Sequence, residues 1–108
     1  MIIYSQDAAA NVKFFRDVLQ FPYVDAGNAW LIFRVPPTEL AVHPAGSDVG
    51  HELFLMCEDM TAFRAQMSQV GVATTPPTAE RWGVLTRLSL PGGGTLGVYE
   101  PTHPSPQL

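Results

Sequence analysis

Asp7 follows a short β-like run, Ile2-Ile3-Tyr4-Ser5-Gln6, and opens a segment with helical apolar periodicity. Fifty-two residues later Asp59 does the same, after Leu53-Phe54-Leu55-Met56-Cys57. Strand-like stretches follow each helical segment, and each half closes on a similar corner, Ala41-Val42-His43-Pro44 and Val98-Tyr99-Glu100-Pro101. Half of a 108-residue chain is too short to bury a sheet of its own, so the two halves must share one interior.

In the first half, Asp7 is placed to cap a helix over 8–19, its carboxylate accepting a free N–H of the first turn and suiting the helix N-terminus. Ala8, Val12, Phe15 and Leu19 form the stripe, and Pro22 cannot continue it. Strand patterns follow over 22–25, 28–35 and 38–43, with Gly27-Asn28 as a turn pair and Pro36-Pro37 between the last two. The loop-like Ala45-Gly46-Ser47-Asp48 joins the halves. In the second half a strand over 51–57 leads to Asp59 and a helix over 61–70, with Met60, Phe63, Met67 and Val70 as its stripe. Gly71 stands where a left-handed residue ends a helix. Strand patterns recur over 72–75, 84–90 and 95–99, the last two turned by Gly92-Gly93-Gly94.

Each half therefore reads β-α-β-β-β, within one α+β domain spanning 1–108 and made of modules 1–46 and 50–101. One helix covers one face of a four-stranded sheet. The other face is apolar in alternation, through Trp30 and Ile32 in the first half and Phe54 and Met56 in the second, and is expected to meet its counterpart. Two such sheets side by side make a curled eight-stranded sheet around a cleft.

Composition narrows what that cleft can serve. Net charge is −4, and the six cations, Lys13, Arg16, Arg34, Arg64, Arg81 and Arg87, form no stripe. Phosphate neutralisation needs one, so a nucleic-acid partner is not expected. No apolar run approaches the ~18 residues of a membrane span. Met1-Ile2-Ile3 lacks the charged start of a signal peptide, and the single Cys57 sits among apolar residues like a small hydrophobe in a reducing compartment. The expectation is a cytoplasmic protein with a small-molecule partner and no membrane.

Two segments carry a resemblance to a known family. Phe14-Phe15-Arg16-Asp17-Val18-Leu19-Gln20-Phe21 resembles the helix end, and Leu90-Pro91-Gly92-Gly93-Gly94-Thr95-Leu96-Gly97-Val98-Tyr99-Glu100-Pro101 the final hairpin, of the vicinal oxygen chelate superfamily. That superfamily includes glyoxalase I, extradiol dioxygenases and bleomycin-resistance proteins. The resemblance runs from about Ile2 to Pro101 and implies the same paired-module fold. It also implies a homodimer, which exposed sheet edges and apolar surface at the module joint independently favour.

The enzymes of this superfamily hold a divalent metal (Ni, Zn, Mn, Fe or Mg) through ligands on the first and fourth strands of each half. Carried onto this chain, the first ligand position falls before Met1. The second falls on Glu39, or on Leu40 in another register. The third falls on Glu52, or on His51 with a one-residue bulge, and the fourth is Gly97, which cannot be a ligand. Strand alternation places His43 on the face of Glu39. The resemblance thus offers Glu39 and Glu52 as catalytic carboxylates, and His43, His51 and Glu52 as metal ligands. Each has a plain structural use: surface histidines, a solvent-facing Glu39, and an edge-strand charge at Glu52. Trp30, Phe54, Met56, Trp82 and Tyr99 are candidates to line an apolar ligand cleft. Two readings stay open: a metal-dependent lyase, isomerase or dioxygenase acting on vicinal oxygens, and a metal-free protein sequestering an aromatic or amphipathic compound.

Overall fold

The computed structural model describes residues 2–28, 30–35, 38–42, 44, 46–47 and 51–106. Helix α1 (Ala8–Lys13) is capped by Asp7, whose carboxylate accepts from the Ala10 N–H at 3.0 Å. It continues as one π-helical turn over Phe14–Val18, closed by Leu19 N–H donating to the Phe14 carbonyl at 3.1 Å. The wider turn brings consecutive residues closer in direction, so Phe14 and Phe15 both face inward. The buried residues are therefore Asn11 and Phe14, with Phe15, Val18 and Leu19 beside them; Ala8, expected in the stripe, is exposed.

Strands β1 (Tyr23–Asp25) and β2 (Leu31–Phe33) form a small antiparallel hairpin turned by Gly27 and Asn28. Its inner face is aromatic, Phe33 lying 5.9 Å from the Phe15 ring and 5.8 Å from Tyr23. Strand β3 (Phe54–Met56) opens the second half and leads to α2 (Met60–Gln69), capped by Asp59 through the Ala62 N–H at 3.0 Å. Gly71, at φ +79°, ends α2 in a Schellman motif: Val72 N–H reaches the Met67 carbonyl at 2.8 Å and Gly71 N–H that of Ser68 at 3.1 Å. This early stop leaves Val70, the last residue of the expected stripe, exposed. Then β4 (Thr78–Glu80), β5 (Gly83–Ser89) and β6 (Thr95–Pro101) complete a sheet of order β3-β6-β5-β4, parallel only between β3 and β6. The expected strand over 72–75 is displaced past Pro76-Pro77 to β4, leaving a lone bridge between Thr74 and Leu88.

The register sorts this sheet into two faces. Val84, Thr86 and Leu88 of β5 join Leu96, Val98 and Glu100 of β6 on one; Leu85 and Arg87 join Gly97, Tyr99, Phe54 and Met56 on the other. The first face is the core: Leu88, Leu90, Leu96 and Val98 pack against Met67 of α2 and against Phe14 from the first half. Thr86 is fully buried there, its hydroxyl donating to the Thr75 carbonyl at 2.7 Å. The first half is fastened at the β5–β6 turn, where Gly92 N–H donates to Asn11 Oδ1 at 2.8 Å and the Gly92 carbonyl accepts from Gln6 N–H and Ser5 Oγ. The halves do share one interior, but it lies under the helices.

The described residues form six strands in two sheets, α+β in class, rather than one curled sheet of eight. Residues 2–5 are not in a strand: Ser5 Oγ donates to the Gly92 carbonyl, while Ile2 and Tyr4 are exposed. Residues 38–42 are not in one either: Leu40 and Val42 are 94% and 91% exposed. The preceding Pro36-Pro37 has no N–H to donate to a ladder.

Candidate functional site

The second face of the larger sheet is open and aromatic. Strand alternation brings Phe54 from β3, Tyr99 from β6 and Arg87 from β5 to it, in rows fixed by the pairs Arg87 with Gly97, Gly97 with Phe54, and Leu85 with Tyr99 and Met56. Trp82 comes from the two-residue turn between β4 and β5 and folds back over the sheet. Trp82 and Tyr99 meet edge to face at 4.9 Å and 89°, as do Phe54 and Tyr99 at 6.1 Å and 90°, while Phe54 and Trp82 are tilted at 5.7 Å and 57°. These are favoured arrangements of aromatic quadrupoles. Two glycines make room. A Cβ at Gly97 would stand 2.5 Å from Phe54 Cε1, and one at Gly83 would stand 2.9 Å from Tyr99 Cδ2.

Polar groups mark the two ends of this floor. At the Phe54 end, the Arg87 guanidinium lies 5.6 Å over the ring centroid and 3.5 Å from the Glu52 carboxylate. At the Tyr99 end, the tail beyond β6 is tied back by Thr102 N–H donating to the Trp82 carbonyl at 3.0 Å, which sets the His103 ring 6.0 Å from that of Tyr99. His103 Nδ1 lies 2.9 Å from the Pro104 carbonyl oxygen, an acceptor, so Nδ1 carries the proton. In the neutral ring Nε2 then accepts from the Tyr99 hydroxyl at 3.2 Å, leaving the phenol oxygen's lone pairs for another donor. Burial first, and the Glu39 carboxylate second, push the Tyr99 phenol above its usual value. Glu39 itself accepts from Ser105 Oγ at 2.9 Å.

Phe54, Trp82 and Tyr99 are thus brought together, with the half-open Met56 on the same face. Trp30 is not part of the cluster. It belongs to the β1–β2 hairpin, is 65% exposed, and its ring stacks on no other aromatic among the described residues. The described members of the acid–imidazole set are apart: Glu52 lies 3.5 Å from Arg87, Glu39 accepts from Ser105, and His51 is exposed, while His43 lies outside the described residues. Among the described residues no three His, Cys, Asp or Glu side chains converge. The described donors by themselves do not make a site of three protein ligands. Arg87 was not among the expected site residues, although its place two residues from Leu85 on one strand face could have marked it. His103, in a Pro-flanked tail, carried no such signal. A separate open groove of about 490 Å³ between α2 and the 72–77 segment, lined by Met60, Arg64, Thr74 and Pro77 among others, gathers no carboxylate or imidazole.

Solved structures of similar fold give this face a context. TnmS3, an antibiotic binding protein from Streptomyces sp. CB03234, matches at a TM-score of 0.66 and 23% identity, over 94% of this chain and 98% of its own. A glyoxalase/bleomycin resistance protein from the same organism matches at 0.60 and 23%, over 91% and 95%. Lactoylglutathione lyase from Agrobacterium tumefaciens matches at 0.65 and 14%, over 91% and 88%. No protein-family model matches the sequence, nor does any curated protein. The resemblance carried by residues 14–21 and 90–101 therefore holds at the level of the fold, which this chain shares with an antibiotic binding protein, a glyoxalase/bleomycin resistance protein and a lactoylglutathione lyase.

Proposed function

We propose that this protein binds and sequesters a small aromatic or amphipathic compound on the open face of the β3-β6-β5-β4 sheet, without a metal and without converting it. The observation that carries the reading is the cluster of Phe54, Trp82 and Tyr99, open to solvent and bounded by polar groups at both ends. An apolar wall with a few placed polar groups is how small-molecule sites are built. The fold hosts both an antibiotic binding protein and a lactoylglutathione lyase, so the reading rests on the site rather than on the fold. Glu39 and Glu52, the carboxylates a metal-dependent enzyme would need, contact different partners, Ser105 and Arg87.

Titration with 2-naphthol, followed by quenching of tryptophan fluorescence, tests the reading. Saturable binding is expected, weakened about 5- to 30-fold by Trp82→Ala or Tyr99→Ala, with the probe recovered unchanged by chromatography. Equal affinity in those variants would overturn it.

The reading extends to assembly. Leu40, Val42, Tyr4 and Ile2, between 70% and 94% exposed, lie on the two segments that the sequence pattern marks as strands. Two copies of the chain are proposed to associate through them, pairing residues 2–5 and 38–42 and completing the eight-stranded arrangement around the aromatic floor. A cytoplasmic setting suits the lone Cys57, whose thiol burial pushes up and so keeps unreactive.

A further inference from the structure

We infer that the ligand of this face is a planar aromatic acid, its carboxylate seated on Arg87 and its ring system on Phe54, Trp82 and Tyr99. This rests on the binding role proposed above and adds the charge and the orientation of what is bound.

Arg87 sits in the same cross-strand row as Gly97 and Phe54, so its guanidinium is held at the edge of the aromatic floor rather than swinging in solvent. Its contact with the Phe54 ring keeps the planar fork close to the height a ligand stacked on that floor would occupy. The carboxylate already beside it does not saturate it. Glu52 makes a single contact at 3.5 Å, and the two side chains are 38% and 64% exposed. The Arg16–Asp17 pair of the same chain shows the bidentate alternative, with bonds of 2.8 and 3.1 Å. Exposed single-contact pairs contribute little, so a ligand carboxylate that pairs with the fork bidentately displaces Glu52 at small cost.

The opposite end fixes the orientation. Glu39 is anionic, and Tyr99, donating to His103, presents an acceptor. An acid turned end for end would set its charge against that carboxylate and those lone pairs. A ligand with its anion at Arg87 meets a cation there, and offers a hydroxyl or amine, where it has one, to the Tyr99 oxygen. Successive rows on a strand face lie about 7 Å apart, so a fused bicyclic system covers the distance from the Arg87 row to the Tyr99 row.

Three probes of one shape decide the matter: 2-naphthoate, 2-naphthol and 2-naphthylmethylammonium, titrated into the wild-type protein by tryptophan quenching. Naphthoate is expected to bind about tenfold tighter than naphthol, and the ammonium weaker than both. Arg87→Gln should erase the advantage of naphthoate, bringing its affinity to that of naphthol in the same variant, and a cooperative unfolding transition in urea shows that the variant is folded. Arg87→Lys should keep part of the advantage, and Glu52→Gln should increase it. Equal affinities for naphthoate and naphthol, with Trp82→Ala weakening both, would overturn the acid inference and leave the aromatic site standing. Binding of none of the three would overturn both. An advantage that survives Arg87→Gln would show that the anion sits elsewhere.

Discussion

Replacing Gly97 by alanine should change the sign of its effect with the residue opposite it. The methyl group would be built 2.5 Å from Phe54 Cε1, and 3.5 Å from Leu85 Cδ1, which is ordinary contact. The Phe54 ring has to leave its slot. It then forfeits two aromatic contacts, to Trp82 and Tyr99, and the guanidinium above it. Aromatic pairs contribute about 0.5–1.5 kcal/mol each and an exposed cation–π contact about 0.5–1. Partial relaxation brings the net cost into the ~1–3 kcal/mol range of overpacked sites. A central figure of about 2 kcal/mol corresponds to a fall in Tm of about 8 °C for a domain of this size. In a Phe54→Ala background the slot is empty, and alanine is favoured over glycine inside a strand by about 0.5–1 kcal/mol. Gly97→Ala should therefore stabilise that variant. Urea denaturation of the four proteins of this cycle gives the coupling, expected at about 2–3 kcal/mol. A substitution that destabilises both backgrounds equally, or neither, would refute the argument that Phe54 is what demands glycine at this position.

Three further outcomes are expected. Asn11→Ala removes the buried acceptor of the Gly92 N–H and should lower stability by about 1–3 kcal/mol in urea; a loss within error of zero would mean the fastening of the first half lies elsewhere. The Tyr99 phenol should ionise above the ordinary value of about 10, so its contribution to stability is complete below that pH and is lost as pH rises through the higher folded value. In an ultraviolet titration a phenol transition above pH 10 should vanish in Tyr99→Phe and move down in Glu39→Gln; loss of a transition at or below pH 10 instead would contradict this. Light scattering should report twice the 11.8 kDa chain mass at micromolar concentration, falling toward one chain in the double variant Leu40→Glu, Val42→Glu; a wild-type monomer would remove the assembly proposal.

Much of this was legible along the chain because it is local. Asp7 and Asp59 cap their helices, Gly71 ends the second, and alternation on β3, β5 and β6 sets which residues share a face. Capping, left-handed φ and the period of two act within a few residues, so the sequence determines them without knowledge of the rest. Phe54 and Met56 were placed on one face that way, whereas Trp82 and Tyr99 were candidates for their aromatic character alone. What the sequence could not decide was which partner each element meets. Trp30 and Phe54 sit in matching halves, yet only Phe54 has Trp82 and Tyr99 beside it, because the first half packs Phe14 into the core under α2 instead of closing over the open face. Gly97 reads in sequence as an absent metal ligand. In three dimensions it is the space that Phe54 fills, a relation between residues 43 positions apart that no local rule contains. Arg87 and Glu39 likewise acquire their roles only when the pairing of β5 with β6, and the return of the tail past Trp82, bring them to opposite ends of one aromatic floor.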